Sequence, residues 1–136
     1  AIASGADGVH LGQDDLPIAE ARQQSGHRFF IGQSTHGVAE AIKAVDAGAD
    51  YVGIGSVFPT MTKPSRIPGG VSLLSETLPL LGEIPHLAIG GIDSNNAAEI
   101  AAAGGRGIAV GNAICTSVDP ASTVRECIEA FETVQV

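Results

Sequence analysis

The feature that most constrains this chain is a short unit that recurs along it. Ser4-Gly5-Ala6-Asp7-Gly8-Val9-His10-Leu11-Gly12 is matched almost position for position by Ala47-Gly48-Ala49-Asp50-Tyr51-Val52-Gly53-Ile54-Gly55. A looser copy runs Ala103-Gly104-Gly105-Arg106-Gly107-Ile108-Ala109-Val110-Gly111. Each copy reads as the end of a helix, a glycine in the left-handed position that closes it, and a brief apolar strand ending on glycine. Arg28-Phe29-Phe30-Ile31-Gly32 and His86-Leu87-Ala88-Ile89-Gly90-Gly91 are two further strands that lack the Gly-Ala-Asp lead-in. The strands are continuously apolar where a half-exposed strand would alternate. Burial on both faces follows, and with it a parallel sheet.

Helices lie between the strands. Residues 17–25, 38–47 and 95–103 are Ala-rich, with apolar positions three and four apart. Residues 71–81 form a weaker helix that ends near Pro79. A last helix opens at Asp119-Pro120, an N-cap with proline in the first turn, and continues through Val124, Ile128 and Phe131. The order is βαβαβαβαβ with right-handed crossovers, hence an α/β fold. At 136 residues the chain is one domain. Its core must be built from Ile, Val, Leu and Ala, since only 4% of residues are aromatic.

In such folds a ligand sits at the carboxyl ends of the strands. Those ends are Gly12-Gln13-Asp14-Asp15, Gln33-Ser34-Thr35-His36, the stretch from Ser56 to Lys63, Gly90-Gly91-Ile92-Asp93, and Gly111-Asn112. The longest irregular connection, residues 58–70 (FPTMTKPSRIPGG), carries three prolines and therefore neither helix nor central strand. It holds Lys63 and Arg66, two of the seven basic residues, and no carboxylate. In a chain of net charge -8 that is a local cationic island. Thr60, Thr62 and Ser65 surround it with hydroxyls suited to anionic oxygens. The acidic balance argues against nucleic acid or an anionic membrane as partner. No run approaches the apolar length of a membrane span.

Several of these residues also have plain structural readings. One carboxylate of Asp14-Asp15 can cap the next helix, and the other is free for a hard cation such as Mg²⁺. Ser34 or Thr35 can cap a helix or present a hydroxyl to phosphate, and Asp93 reads as an N-cap. Gly90-Gly91 and Gly111-Asn112 are tight turns or exposed amides for phosphate. His10, inside a strand, is equally a core histidine or a substrate contact. Cys115 and Cys127 form no metal or redox motif and read as buried, reduced thiols, which fits a cytoplasmic protein.

Taken together, Gly8-Val9-His10-Leu11-Gly12-Gln13-Asp14-Asp15, Gly32-Gln33-Ser34-Thr35-His36, the run from Gly53 to Lys63 and Ala88-Ile89-Gly90-Gly91-Ile92 resemble thiamine phosphate synthase, a TIM (β/α)8 barrel family. The Pro-Thr-x-Thr-Lys loop is the most specific piece. The resemblance implies a transferase of thiamine biosynthesis. Such an enzyme joins 4-amino-2-methyl-5-hydroxymethylpyrimidine diphosphate to thiazole phosphate and releases pyrophosphate. It implies that Asp15 is one of two Mg²⁺-binding aspartates, and that Ser34 and Lys63 contact the pyrimidine diphosphate in catalysis. Thr60 and Thr62 match the thiazole-phosphate threonines, and Gly91 a glycine near that phosphate. Gly111 and Asn112 fall on the last phosphate-contacting pair, where the family has an apolar residue and then Ser.

On this reading residues 1–136 are a single partial barrel covering strands four to eight, with the first three βα units absent. Ala1-Ile2-Ala3-Ser4 is then the closing turn of a helix. Five strands cannot close an eight-stranded barrel, so open edges invite self-association. Two alternatives stand beside the transferase. One is a thiazole tautomerase-like isomerase using a histidine, against which Asp15 and Thr60-x-Thr62-Lys63 argue. The other is a non-catalytic phosphate-binding fragment.

Overall fold

The computed structural model describes residues 1–134. Five strands, β1 (Gly8–Leu11), β2 (Phe30–Thr35), β3 (Tyr51–Ile54), β4 (His86–Ile89) and β5 (Ile108–Ala109), form one sheet. All pairings are parallel, and strand order follows chain order without interruption. A doubly wound sheet reverses direction at a switch point; a sheet that only ever steps to its next neighbour has the course of a barrel wall. Helices α1 (Ile18–Ser25), α2 (Val38–Asp46), α3 (Ser72–Leu81) and α4 (Ala97–Ala102) follow the first four strands. A short α5 (Asn112–Cys115) and a final α6 (Pro120–Glu132) come after β5.

The repeat owes its shape to glycine. Gly5, Gly48 and Gly104 carry φ of 72°, 90° and 88° at the corresponding position of each copy. Side chains rarely adopt that conformation, so glycine turns the chain from helix end to strand at little cost. The aspartate of the second copy has its own task. The Asp50 carboxylate accepts from Arg22 and from the Ile31 amide, both at 2.6 Å. Arg22 also donates to the Phe29 and Gly48 carbonyls, so one guanidinium ties α1 to the starts of β2 and β3. Burial would raise the Asp50 pKa. The bonds from Arg22 and Ile31, with the Arg22 charge, outweigh it and hold the pKa below its ordinary value.

One face of the sheet is sealed. Ile31, Val52, Ile54 and Ala88 are fully buried beneath the helices, with Leu74, Ala97 and Ile100 packed against them. The opposite face is different. Phe30, Leu87 and Ile89, which alternate with those residues, stay substantially exposed. Between them stand His10, Tyr51 and Ser34 and the side-chain-free positions Gly32 and Gly53.

Several boundaries differ from the sequence reading. Gly32 does not end β2; the strand runs on to Thr35, because the β3 backbone pairs with it from Gly32 to Thr35. Neither Ser34 nor Thr35 therefore caps α2, which opens at Gly37 without a side-chain cap. Thr35 is wholly buried and donates to the Gly53 carbonyl. Nor does Asp14 or Asp15 cap α1, whose N-cap is Pro17. Asp93 precedes the N-cap, Asn96, and accepts from the Asn95 amide. Pro79 sits inside α3 rather than ending it. Strand β5 stops at Ala109, and Asn112 begins a helix absent from the sequence reading. Cys127 is buried, but Cys115 is exposed.

Candidate active site at the strand ends

The connection after β3 is fastened at both ends, its start to the end of β4 and its return to its own start. The Val57 and Phe58 amides donate to the carbonyls of Ile89 and Gly90. On the return, the Gly69 and Gly70 amides donate to Ser56 and Val57. Residues 59–68 therefore project as a loop with a fixed root. Within it the Thr62 amide donates to Thr60 Oγ1, and the Arg66 amide to the Lys63 carbonyl, which folds the loop into two local turns. Among the described residues neither Lys63 nor Arg66 pairs with a carboxylate.

Beneath this loop lies a cleft of about 460 Å³. Ser34, Thr60, Thr62, Lys63, Gly91, Gly111 and Asn112 all line it, together with Arg66 and Asp93. Five segments between residues 34 and 113 thus meet in one cavity at the carboxyl ends of the strands. Gly91 makes that possible at its centre. Its φ is +65°, and a Cβ there would lie 2.9 Å from Phe58 Cβ and also strike the Pro59 carbonyl. The turn after β4 and the root of the loop can pack together only because no side chain intervenes.

Asp15 stands apart and does not line the cleft. Its Oδ2 accepts from the Gly12 amide at 2.6 Å, so the carboxylate folds back over its own strand end. Its other oxygen, and the exposed Asp14 beside it, stay open to water. Among the described residues no three His, Cys, Asp or Glu side chains gather as a metal cage. This donor set suits Mg²⁺ in one way: a single anchored carboxylate, with phosphate oxygens and water completing the shell.

Two further side chains, to which the sequence reading assigns nothing definite, stand outside the cleft lining and bond to Ser34. His10 reaches Tyr51 Oη through Nδ1 and Ser34 Oγ through Nε2, each at 2.9 Å. Gln13 Nε2 donates to the Ser34 carbonyl at 2.6 Å and holds the ends of β1 and β2 together. Burial against the protein lowers the His10 pKa, so its imidazole is neutral at physiological pH. The signal that could have found this cluster is the spacing of glycines within the strands. Gly32 and Gly53 sit mid-strand, where only a neighbouring side chain lying across them explains a missing one.

The geometry therefore joins an α/β sheet of barrel course to a hydroxyl-rich, locally cationic cleft. The thiamine monophosphate synthase family model matches residues 1–114. The chain belongs to the thiamine monophosphate synthase family. It is 50% identical over 129 residues to a thiamine-phosphate synthase of Gloeobacter violaceus, covering 95% of this chain and 38% of that protein. With a thiamine-phosphate synthase of Chlorobium phaeovibrioides the identity is 45% over 133 residues, 97% of this chain and 63% of the other. A solved thiamine phosphate pyrophosphorylase from Pyrococcus furiosus superposes with a TM-score of 0.87 at 37% identity, covering 99% of this chain and 64% of that one. A 3-hexulose-6-phosphate synthase from Salmonella typhimurium, 22% identical with a TM-score of 0.71, shares the fold. This member of the family spans less than two thirds of the length of these relatives. No described helix is long and apolar enough to cross a membrane.

Proposed function

We propose that this chain carries the phosphate-binding part of a transferase site that joins a pyrimidine diphosphate to a thiazole phosphate, giving thiamine phosphate and pyrophosphate. The observation that carries the reading is the meeting of Ser34, Thr60, Thr62, Lys63, Gly91, Gly111 and Asn112 in one cleft. Breaking a C–O bond to diphosphate leaves negative charge on the departing oxygens. Lys63 stabilises that charge as it develops, and the Ser34 hydroxyl donates to the same group. Thr60 and Thr62 hold the thiazole phosphate beneath the loop, with Gly91, Gly111 and Asn112 beside it. The reaction requires no covalent intermediate on the protein. Mg²⁺, when bound by Asp15 and diphosphate oxygens, supplies further neutralisation of the leaving group.

The five strands correspond, on this reading, to the fourth to eighth of a (β/α)8 barrel, in a protein of the cytoplasm. The open sheet face supports this: Phe30, Leu87 and Ile89 are exposed where a closed barrel would bury them. The same face and the free edge of β1 favour self-association of the chain, which sedimentation over a concentration series measures. The test of function is calorimetry with thiazole phosphate and with the pyrimidine diphosphate in the presence of Mg²⁺, alongside a pyrophosphate-release assay. Binding of both with release of pyrophosphate is the expected result for a complete site. Binding of thiazole phosphate without release would mean a binding fragment, and binding of neither would overturn the reading.

A further inference from the structure

His10, Gly32 and Tyr51 occupy one row across β1, β2 and β3. Because Gly32 has no side chain, the two rings meet over it, with centroids 5.4 Å apart. A Cβ at Gly32 would overlap the Tyr51 ring, and one at Gly53 would come within 3.3 Å of His10 Cε1. Two glycines in adjacent strands thus form a bed that fits these rings and fixes their planes. The next row pairs Ser34 with Gly53, and there Ser34 Oγ reaches His10 Nε2. Among the described residues Tyr51 Oη and Ser34 Oγ each have His10 as their hydrogen-bond partner.

A neutral imidazole has one N–H and one lone pair, so it can accept from Tyr51 or from Ser34, but not from both. The two tautomers have opposite consequences. If Nε2 accepts, the Ser34 hydroxyl donates a hydrogen bond to His10 and is set up as a nucleophile beside a base. If Nε2 carries the proton, Ser34 accepts from it and must turn its own hydrogen elsewhere. A phenol, of pKa about 10, is a far stronger acid than an aliphatic alcohol, and wins the competition for the single lone pair.

We propose that Tyr51 and His10 are positioning residues: the Tyr51 hydroxyl donates to His10 Nδ1, His10 Nε2–H donates to Ser34 Oγ, and the Ser34 hydroxyl is thereby fixed as a donor into the cleft. This rests on the functional reading only for the identity of the anion that Ser34 meets. The consequence for chemistry is that Ser34 binds an anionic oxygen and does not attack.

The test uses the 136-residue chain with ¹⁵N-labelled histidine and long-range ¹H–¹⁵N correlation NMR. His10→Gln identifies the His10 signals by their loss. The expected spectrum has a protonated Nε2 and a bare Nδ1, and Tyr51→Phe, which keeps the ring over Gly32, removes that preference. A proton on Nδ1, or a spectrum unchanged in Tyr51→Phe, overturns the proposal. Titration with inorganic pyrophosphate supplies the second readout. Tyr51→Phe and Ser34→Ala should each weaken binding about three- to tenfold, and the double variant no more than Ser34→Ala alone. Parent-like binding by Tyr51→Phe, or fully additive losses, also overturns it. Absence of pyrophosphate binding to the parent would count against the diphosphate reading of the cleft, and the tautomer alone would then decide the relay.

Discussion

Gly91→Ala should damage the cleft more than any single loss of a charge. The residue has φ of +65°, and the left-handed conformation costs an L-residue about 1–2 kcal/mol. The new methyl would also lie 2.9 Å from Phe58 Cβ and 3.0 Å from the Phe58 carbonyl carbon, nearer than packed carbons approach. Overpacking of that kind costs about 1–3 kcal/mol, so the sum is about 2–5 kcal/mol. The molecule can absorb it in two ways. If the backbone stays, the thermal midpoint falls by roughly 6–20 °C. If the loop root moves outward instead, Thr60, Thr62 and Lys63 leave the cleft together, and affinity for a phosphate ester falls while the midpoint changes less. Thermal melting and calorimetry with thiazole phosphate, run on the same preparation, separate the two. Gly37→Ala is the control: it lies outside the cleft lining, its φ of -169° is extended backbone open to any residue, and nothing stands within 4 Å of the added atom, so the affinity should not move. A Gly91→Ala protein with the parent's midpoint and the parent's affinity would refute the close-approach argument.

Lys63→Ala should remove a charge-assisted contact to diphosphate, lowering affinity or rate by about one to two orders of magnitude; calorimetry or steady-state kinetics in a complete site measures it. Asp15→Asn should weaken the magnesium dependence and leave the thermal midpoint nearly unchanged, because an amide oxygen can still accept from the Gly12 amide; a magnesium titration superimposable on the parent's would remove Asp15 from the site. Stability should fall on acidification in two stages. His86 accepts from the Arg106 amide and is pushed by burial below its ordinary 6.5, as His10 is, so the unfolded chain binds more protons and stability declines as pH drops below 6.5. Asp50, held below its ordinary 3.8, adds a second decline as pH passes under that value, and denaturant midpoints from pH 8 to 3 follow both.

What was legible in the sequence was whatever rests on local chemistry. The recurring glycines announced their left-handed turns because the requirement lies within the residue itself, and Gly5, Gly48 and Gly104 meet it. The loop of residues 58–70 could be read as a loop because proline forbids the alternatives. What failed depended on residues far along the chain. Gly32 looked like a strand end; it is mid-strand, empty because the Tyr51 ring lies over it. The part played by His10 was open because its partners stand 24 and 41 residues away, and only sheet register brings them together. Asp15 falls between the two cases. Its return to the Gly12 amide, three residues back, is an ordinary local turn that competes with capping and wins because Pro17 already opens the helix.

On the proposed function an acidic chain has to gather anions, and the distribution of its few cations bears on how it would do so. Arg22 is taken by Asp50 and by carbonyls at the far end of the sheet. Lys63 and Arg66 line the cleft, where the carboxylate of Asp93 is the opposing charge and already accepts from the Asn95 amide. At physiological ionic strength, charges beyond about 8 Å are largely screened, so the net charge of -8 matters less to a bound phosphate than these three groups. The local balance is close to a single positive charge. That suffices for one phosphate ester assisted by hydroxyls and amides, but falls short for a phosphate and a diphosphate held side by side. Two anionic substrates in this cleft would repel each other unless a further cation entered with them. On the proposed function the anchored carboxylate of Asp15, at the end of β1 beside the strand that carries Ser34, is where that cation would find a ligand.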